Sequence, residues 1–271
     1  MKANPLAVWS MFRELKAGAG TLGPLAIAGS ATEPTEALRR ELTRGGDVTA
    51  VRAGDPAGAA ALLYVLSGPP AAEDERALRR ARKQDVPVVG VLVGREAPDA
   101  LPPALADEVV RVADSATVPL DEVGRVVARL VGEESSELAA RLPALRRGIC
   151  DGLISSFSRK NGLVGAAVFV PGADLPVLTL NQVRLVLRIG AAHGIEIDRD
   201  RLPEILAVVG GGFALRTAAR EALGAIPLAG WAVKGVLAYA GTKALGEAAT
   251  RYFAAQARGA AARASGPTGP T

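Results

Sequence analysis

The residues with the best spacing for chemistry follow the first apolar stretch, in the loop of "AIAGSATEPTEAL". A short strand, a glycine loop and a helix form the setting of a phosphate-binding loop. Its pattern, G-x-x-x-x-G-K-[ST], supplies close backbone amides, a lysine for the β/γ-phosphates and a hydroxyl for magnesium. Counted from Gly29, this chain has Pro34 for the second glycine, Thr35 for the lysine and Glu36 for the hydroxyl residue. Because proline lacks an amide donor and Glu36 is negative, we expect no nucleotide there and interpret Glu36 as a first-turn acid favourable to the helix dipole.

Cysteine and histidine, the usual nucleophile and metal ligand, each occur once. Cys150 alone excludes an internal disulfide framework or a cysteine metal site, and His193 alone excludes a multi-histidine centre. We interpret Cys150 as a small core residue. His193 precedes Gly194, a predicted helix C-terminal glycine, so we assign it to the helix end. With no hydrolytic, acyl-transfer or metal constellation, the sequence predicts a protein that is not an enzyme and uses no cofactor.

The elements around the loop alternate between strand and helix. Apolar runs predict strands at 24–29, 47–53, 61–68, 86–94 and 108–113, with helices at 35–42, 72–84 and 120–130. Near-continuous apolar strands separated by helices predict a mainly parallel sheet that is covered on both faces. Residues 47–53 and 61–68 lie too close together for a helical crossover, so we expect them to pair antiparallel.

An early antiparallel pair in an otherwise parallel sheet resembles Ras-like and Era-like GTPases. The other motifs of those families are altered here as well. The strand at 61–68 ends in "LSG" without an aspartate for magnesium, and the strand at 86–94 ends in "VLVGRE" where guanine recognition has N-K-x-D. The resemblance therefore implies a degenerate GTPase-like domain over residues 24–132. An α/β domain that never bound nucleotide leads to the same expectation.

A linker is expected at residues 133–143, followed by a helical domain at 144–257. The motifs "PGADLPVLTLNQ" and "IPLAGWAVKG" closely resemble those of the bacterial YcjF-like domain of unknown function, over roughly residues 145–253. The resemblance implies association with the cytoplasmic face of the inner membrane and with GTPase-like modules, and it transfers no reaction. The fold class expected for the whole chain is α/β plus all-α.

The first of these motifs holds five candidate interaction residues. Asp174 can cap the helix that starts at Pro176, because proline suits a first helical turn. Further along, helical spacing puts three polar residues near one edge and two arginines one turn apart. The polar residues are Thr179, Gln182 and His193, and the arginines are Arg184 and Arg188. The edge is interpreted as a binding edge or a polar helix–helix contact. The arginines either meet phosphate or lipid headgroups, or remain solvated or ion-paired.

The second motif lies in a 21-residue stretch, residues 222–242, whose only charge is Lys234. The length suits a bilayer span, but glycines, a proline and the central lysine make a poor free-standing lipid helix. Trp231 and Tyr239 can sit at headgroup level if packed helices rest on lipid; a buried core helix is the alternative. A stripe of small residues predicts close helix packing, at Gly235, Ala238, Thr242 and Ala249.

The net charge of +4 conceals an asymmetry between the two halves of the chain. Residues 1–140 carry 16 Lys and Arg against 20 Asp and Glu, whereas residues 141–271 carry 16 against 8. The basic half predicts an anionic partner surface. Nucleic acid fits poorly, since only five Phe, two Trp and three Tyr exist to stack bases.

Both ends of the chain are expected to lie outside the two domains. Residues 1–23 form an amphipathic arm, with Val8, Phe12 and Leu15 on one helical face, that lies on a membrane or packs on its own protein. Residues 258–271 form a disordered tail.

The combined prediction is a membrane-associated, non-catalytic scaffold or adaptor with a GTPase-like domain that lacks nucleotide chemistry. Its expected partners are anionic lipid at the membrane surface and a GTPase or other protein. Homo-oligomers remain open. Without a secretory signal pattern, we expect a cytoplasmic protein, peripheral to the inner face of the cell membrane. The alternatives are a soluble regulatory partner of a true GTPase and an unconventional GTPase.

Overall fold

The computed structural model describes residues 22–98, 100–113, 118–167, 175–195 and 230–264. The chain divides between Leu153 and Ile154 into an α/β unit, residues 18–153, and a helical unit, residues 154–271. The predicted N-terminal arm lies outside the described residues except for its last two positions.

The α/β unit contains five strands and the first four helices, and fits the predicted alternation. The strands are β1 (Leu25–Gly29), β2 (Val51–Ala53), β3 (Ala61–Leu66), β4 (Val88–Val93) and β5 (Glu108–Val112). The helices are α1 (Thr32–Thr43), α2 (Ala72–Lys83), α3 (Leu120–Val131) and α4 (Ser135–Arg141). A further helix, α5 (Arg146–Ala167), contains the division between the units.

All five strands are parallel, in the order β2-β1-β3-β4-β5. The predicted antiparallel pairing of residues 47–53 with 61–68 is therefore wrong: β2 pairs with β1, on the side away from β3. The loop that returns from β2 to β3 has only seven residues, 54–60. It suffices because β2 is three residues long, and seven extended residues reach about 23 Å, enough to pass β1.

Both faces of the sheet are covered, so β3 and β4 are buried at every position. Along each strand successive side chains point to opposite faces. On one face Leu62, Tyr64 and Leu66 of β3 pack with Leu78 and Ala81 of α2. Helix α1 packs against β1 and β2, and helix α3 packs against β3 and β5.

The loop between β4 and β5 takes the place of a covering helix. Ala97, Leu101 and Leu105 in this loop belong to the same core cluster as α2. Leu101 packs directly on β4 at Gly90, where an added Cβ would lie 2.7 Å from Leu101 Cδ1. A side chain at position 90 would thus force the Leu101 side chain to shift.

The expected linker at residues 133–143 is instead folded into the α/β unit. It forms a 3-10 turn, α4 and a second 3-10 turn, with Leu138 and Leu142 fully buried. Arg141 accepts the Asp47 amide through its carbonyl and pairs with the Asp47 carboxylate at 2.9 Å. The segment is drawn in because its leucines cover apolar surface, so the boundary between units falls about ten residues later.

The helical unit contains the second half of α5, α6 (Leu175–Ala192) and α7 (Gly230–Ala264). Helix α7 continues through residues 258–264, which had been expected to be disordered; residues 265–271 lie outside the described part. The predicted small-residue stripe is confirmed. A Cβ added to Gly235 would lie 3.0 Å from Ala166 Cβ, and a Cβ added to Gly165 would lie 2.9 Å from Ala238 Cβ. Thr242 and Ala249 are fully buried.

Because of Asp47, the free energy of unfolding should depend on pH in the acid range. Hydrogen bonds from Thr49, and then from Arg141, lower the pKa of Asp47 from its ordinary 3.8 to about 2. Because the folded pKa is the lower one, this stabilisation is complete above about pH 4 and declines as the pH falls toward 2. The Asp47→Asn variant should be less stable than the wild type near neutral pH, and the difference should vanish near pH 2 in urea unfolding.

Glu41→Gln is the matched control for Asp47→Asn, since Glu41 pairs with the well-exposed Arg44 within a single helix end. It should leave the pH dependence of unfolding nearly unchanged. An Asp47→Asn profile parallel to that of the wild type from pH 4 to pH 2 would contradict the assignment.

Two glycine-to-alanine changes should have opposite effects in the helical unit. Gly165→Ala should lower the free energy of unfolding by about 1 kcal/mol or more, because its Cβ meets Ala238 Cβ and the Lys234 carbonyl at 2.9 and 3.0 Å. Gly259→Ala should raise it by up to about 1 kcal/mol, since only the Arg263 guanidinium comes within 4 Å. Urea unfolding followed by far-ultraviolet circular dichroism measures both, and equal stabilisation by both variants would contradict the close crossing.

Candidate functional site

The order β2-β1-β3-β4-β5 places a change of winding direction between β1 and β3. In open parallel sheets of this kind, ligands bind outside the carboxyl ends of the strands at that point. The candidate site is therefore the edge where β1 ends at Gly29 and β3 ends at Leu66, which we call the switch-point edge. The glycine loop singled out from the sequence leaves the sheet here.

The glycine loop is packed closely against the neighbouring strand. An added Cβ on Gly29 would lie 2.1 Å from the Val65 carbonyl oxygen, so only glycine fits. Ala31 is buried, and its carbonyl accepts both the amide and the hydroxyl of Thr35, the hydroxyl at 2.7 Å. The hydroxyl of Thr35, which stands at the lysine position of the phosphate-binding pattern, is thus already hydrogen-bonded at the start of its own helix.

The helix N-termini at the switch-point edge carry their own acids. Helix α1 has Glu33 in its first turn, and α2 has three acids there, Glu73, Asp74 and Glu75. Carboxylates in a first turn compensate the positive end of the helix dipole, the feature that would otherwise attract a phosphate. Glu36, expected in the first turn of α1, lies in its second turn because the helix begins at Thr32, and it pairs with Arg39 at 2.8 Å on the exposed side. The electrostatics of this edge therefore oppose an anionic ligand.

A buried polar pair lies on the sheet just behind this edge. The Tyr64 hydroxyl donates to the Asp74 carboxylate at 2.8 Å, and the other Asp74 oxygen accepts the Ala71 amide at 2.8 Å. Both side chains are nearly inaccessible. Burial, and secondarily the bond to Asp74, raises the pKa of Tyr64 above its usual range. Sequence reasoning did not select this pair, although a tyrosine in an aliphatic strand and an acid at the third helical position were visible signals.

The opposite edge of the sheet holds a pocket of about 320 Å³. It is lined by Arg82, Asp85, Val86, Pro87, Asp107 and Leu130. Arg82 is ion-paired with Asp107, which also accepts the Val88 amide at 2.7 Å. The charged groups of this pocket are thus used to tie α2 to the start of β4 and β5.

The helical unit contains a second polar cluster, where α5, α6 and α7 meet. The Asn161 amide donates to the Thr242 hydroxyl at 2.8 Å, and the Asn181 amide donates to the Asn161 oxygen at 2.7 Å. Asn161 and Thr242 are fully buried. Gln182 lies 3.5 Å from the Thr242 hydroxyl and is half-buried. This arrangement matches the polar helix–helix contact, rather than the binding edge, that the sequence left open.

The predicted interaction residues that the structure describes differ in exposure. Arg188 is 6% exposed, so its side chain is buried and does not take the headgroup contact that was one of its two interpretations, while Thr179 and Arg184 are half-buried. Lys234 is half-buried and Tyr239 is exposed on α7. Asp174 and the Trp231 side chain lie outside the described residues.

Two single-residue interpretations are confirmed. Gly194 has φ of 69°, as expected of a helix C-terminal glycine, and His193 Nδ1 lies 2.9 Å from the Ile189 carbonyl oxygen at that helix end. Cys150 is fully buried, and burial raises the pKa of its thiol to about 12.

Within the described ranges, no group of three or more His, Cys, Asp and Glu side chains could hold a metal ion. In that same part of the chain, no helix is both long and apolar enough to cross a membrane. Comparison with protein-family models, curated proteins and solved structures gave no match.

The Tyr64–Asp74 bond should have a measurable effect on stability. Tyr64→Phe should lower the free energy of unfolding by about 1–3 kcal/mol at neutral pH, because a buried carboxylate loses one of its donors. The raised folded pKa means that unfolding, which frees the phenol to ionise, is favoured above about pH 10. The difference between wild type and variant should therefore shrink at alkaline pH in denaturant titrations.

Tyr252→Phe is the control, since the Tyr252 hydroxyl accepts an exposed bond from Gln256. It should change the free energy of unfolding by no more than about 0.5 kcal/mol. Equal effects of the two substitutions would show that the buried bond to Asp74 contributes nothing specific.

Proposed function

We propose that the chain is a non-catalytic adaptor that acts at the membrane surface, with a GTPase-like α/β unit that does not use a nucleotide. The observation that carries the proposal is the chemistry of the switch-point edge. Where a phosphate would need amides, a lysine and a hydroxyl, the loop offers Pro34, a self-bonded Thr35 and first-turn carboxylates. The GTPase-like assignment is itself part of the proposal: the antiparallel pair that suggested it is absent from the described strands, and what supports it is the loop and helix that follow the first strand.

Charge supports the membrane part of the proposal. The helical unit, residues 154–271, carries 13 Lys and Arg against seven Asp and Glu. Such an excess attracts anionic lipid headgroups. The YcjF-like resemblance of the same unit supports the same placement, on the cytoplasmic face of the membrane.

A soluble regulatory partner of a true GTPase is the second candidate. It is favoured by the covered, fully parallel sheet, which offers a rigid docking surface without chemistry of its own. An unconventional GTPase is the third. Binding of vesicles by the whole chain separates the first candidate from the second, and binding of nucleotide separates both from the third.

The nucleotide experiment is calorimetry of the full chain with GTP and with ATP in magnesium buffer. We expect no heat of binding, because Pro34, Thr35 and Glu36 replace the groups that hold the phosphates and the metal. A conventional phosphate-loop protein measured in the same buffer is the positive control. A micromolar dissociation constant for either nucleotide would refute the non-catalytic assignment in favour of an unconventional GTPase.

A further inference from the structure

Three large side chains of the helical unit are exposed along helices α5 and α7. Leu163 on α5 is 72% exposed, and Val236 and Tyr239 on α7 are 65% and 37% exposed. Single exposed apolar residues are common on protein surfaces, whereas a cluster of them marks an interaction site. The question is therefore whether these three lie together.

The contacts between α5 and α7 establish that the two helices run antiparallel. Asn161 meets Thr242, Gly165 meets Ala238, and Gly235 meets Ala166. Position numbers thus rise on one helix as they fall on the other. Leu163 consequently lies at the same height as the segment from Val236 to Tyr239.

Helical geometry also puts the three side chains on one side of the helix pair. Tyr239 borders the crossing, since its Cβ lies 3.2 Å from where a Cβ on Gly162 would be. Leu163 is one residue, or about 100°, beyond Gly162, and Val236 is equally far beyond Gly235. For antiparallel right-handed helices in contact, both steps turn toward the same side. We call the resulting surface the apolar face.

Two basic side chains lie together at one end of the apolar face. Arg159 precedes Leu163 by one turn of α5, and Lys243 follows Tyr239 by one turn of α7, and both are exposed. On the described surface of this unit the only acid, Glu247, lies a further turn along α7. The face thus has an apolar centre and a cationic margin.

We infer that the apolar face docks on a bilayer that contains anionic phospholipid, an inference that rests on the proposed function and gives it a surface. The basic margin matches the headgroup charge. Leucine, valine and tyrosine at the centre match the boundary between headgroups and acyl chains, where tyrosine is enriched. Arg188 takes no part, because its side chain is buried.

The test is flotation of the full chain with phosphatidylcholine vesicles, with and without phosphatidylglycerol. The triple variant Leu163→Ser, Val236→Ser, Tyr239→Ser should bind the anionic vesicles at least about tenfold more weakly than the wild type, since three apolar side chains no longer enter the interface. The matched control, Val48→Ser, removes a valine of the α/β unit that is 68% exposed, and should bind like the wild type.

A second variant, Arg159→Glu with Lys243→Glu, leaves the apolar centre intact. It should abolish the preference for phosphatidylglycerol over pure phosphatidylcholine, and circular dichroism should show an unchanged helix content. A preference that survives this reversal would contradict the cationic margin. This variant keeps the inference testable if the triple variant does not fold.

The outcomes separate the inference from the proposed function. Absence of wild-type flotation would overturn both. Wild-type flotation with equal flotation of a folded triple variant would overturn the apolar face while leaving membrane association standing. If the triple variant floats normally but changes from dimer to monomer in sedimentation, the occupant of the face is a second copy of this chain and the lipid inference is wrong.

Discussion

Burial of both faces of the parallel sheet is the constraint on which the α/β unit depends. Strands β3 and β4 have no exposed position, so each face needs apolar cover along its whole length. Only α2 crosses over between β3 and β4, and the chain from β4 to β5 contributes leucines from an irregular loop instead of a helix. Helix α4 continues the cover only indirectly, because it packs on α3, with Leu138 and the following Leu142 fully buried. The segment 133–143, which the sequence suggested to be a linker, is therefore held in place by its buried leucines and by the Asp47–Arg141 ion pair near its end.

The sequence predicted the element types of this unit well, because apolar runs and helix-start acids are local signals. Strand pairing depends on residues that are distant in the sequence, and the predicted antiparallel pairing was wrong. The short spacing between residues 53 and 61 suggested a hairpin, yet nothing in the spacing alone reveals that β2 has only three paired residues. The prediction for the 133–143 segment was wrong for a related reason: "EESSEL" is polar on one helical side, and its other side is buried only by packing against α3 and the neighbouring 3-10 turns. Boundaries that depend on tertiary cover cannot be placed from composition.

In the helical unit the sequence was most informative where small residues recur. Gly235, Ala238 and Thr242 lie on one stripe of α7, and the structure uses this stripe for the close crossing with α5. The polar residues were harder to interpret, because Gln182 and Arg188 are chemically suited to a ligand as well as to a helix contact. For Gln182 the structure favours the helix contact, because its amide lies 3.5 Å from the Thr242 hydroxyl, which also accepts the buried Asn161 amide. Thr242 therefore serves twice, as a small residue that permits approach and as a hydroxyl that fixes the register of the helices.

The two units distribute their charge in different ways, and the difference bears on function. In the α/β unit the acids cluster in first helical turns or lie in ion pairs such as Asp107–Arg82 and Glu108–Arg129, so that much of the negative charge is used in folding. In the helical unit, residues 154–271, 13 Lys and Arg stand against seven Asp and Glu, an excess of positive charge. Charge that is not compensated within a fold raises its self-repulsion, which an anionic partner relieves. The asymmetry of the sequence thus divides the chain into one unit whose charges largely complete its own structure and another that carries a net positive charge.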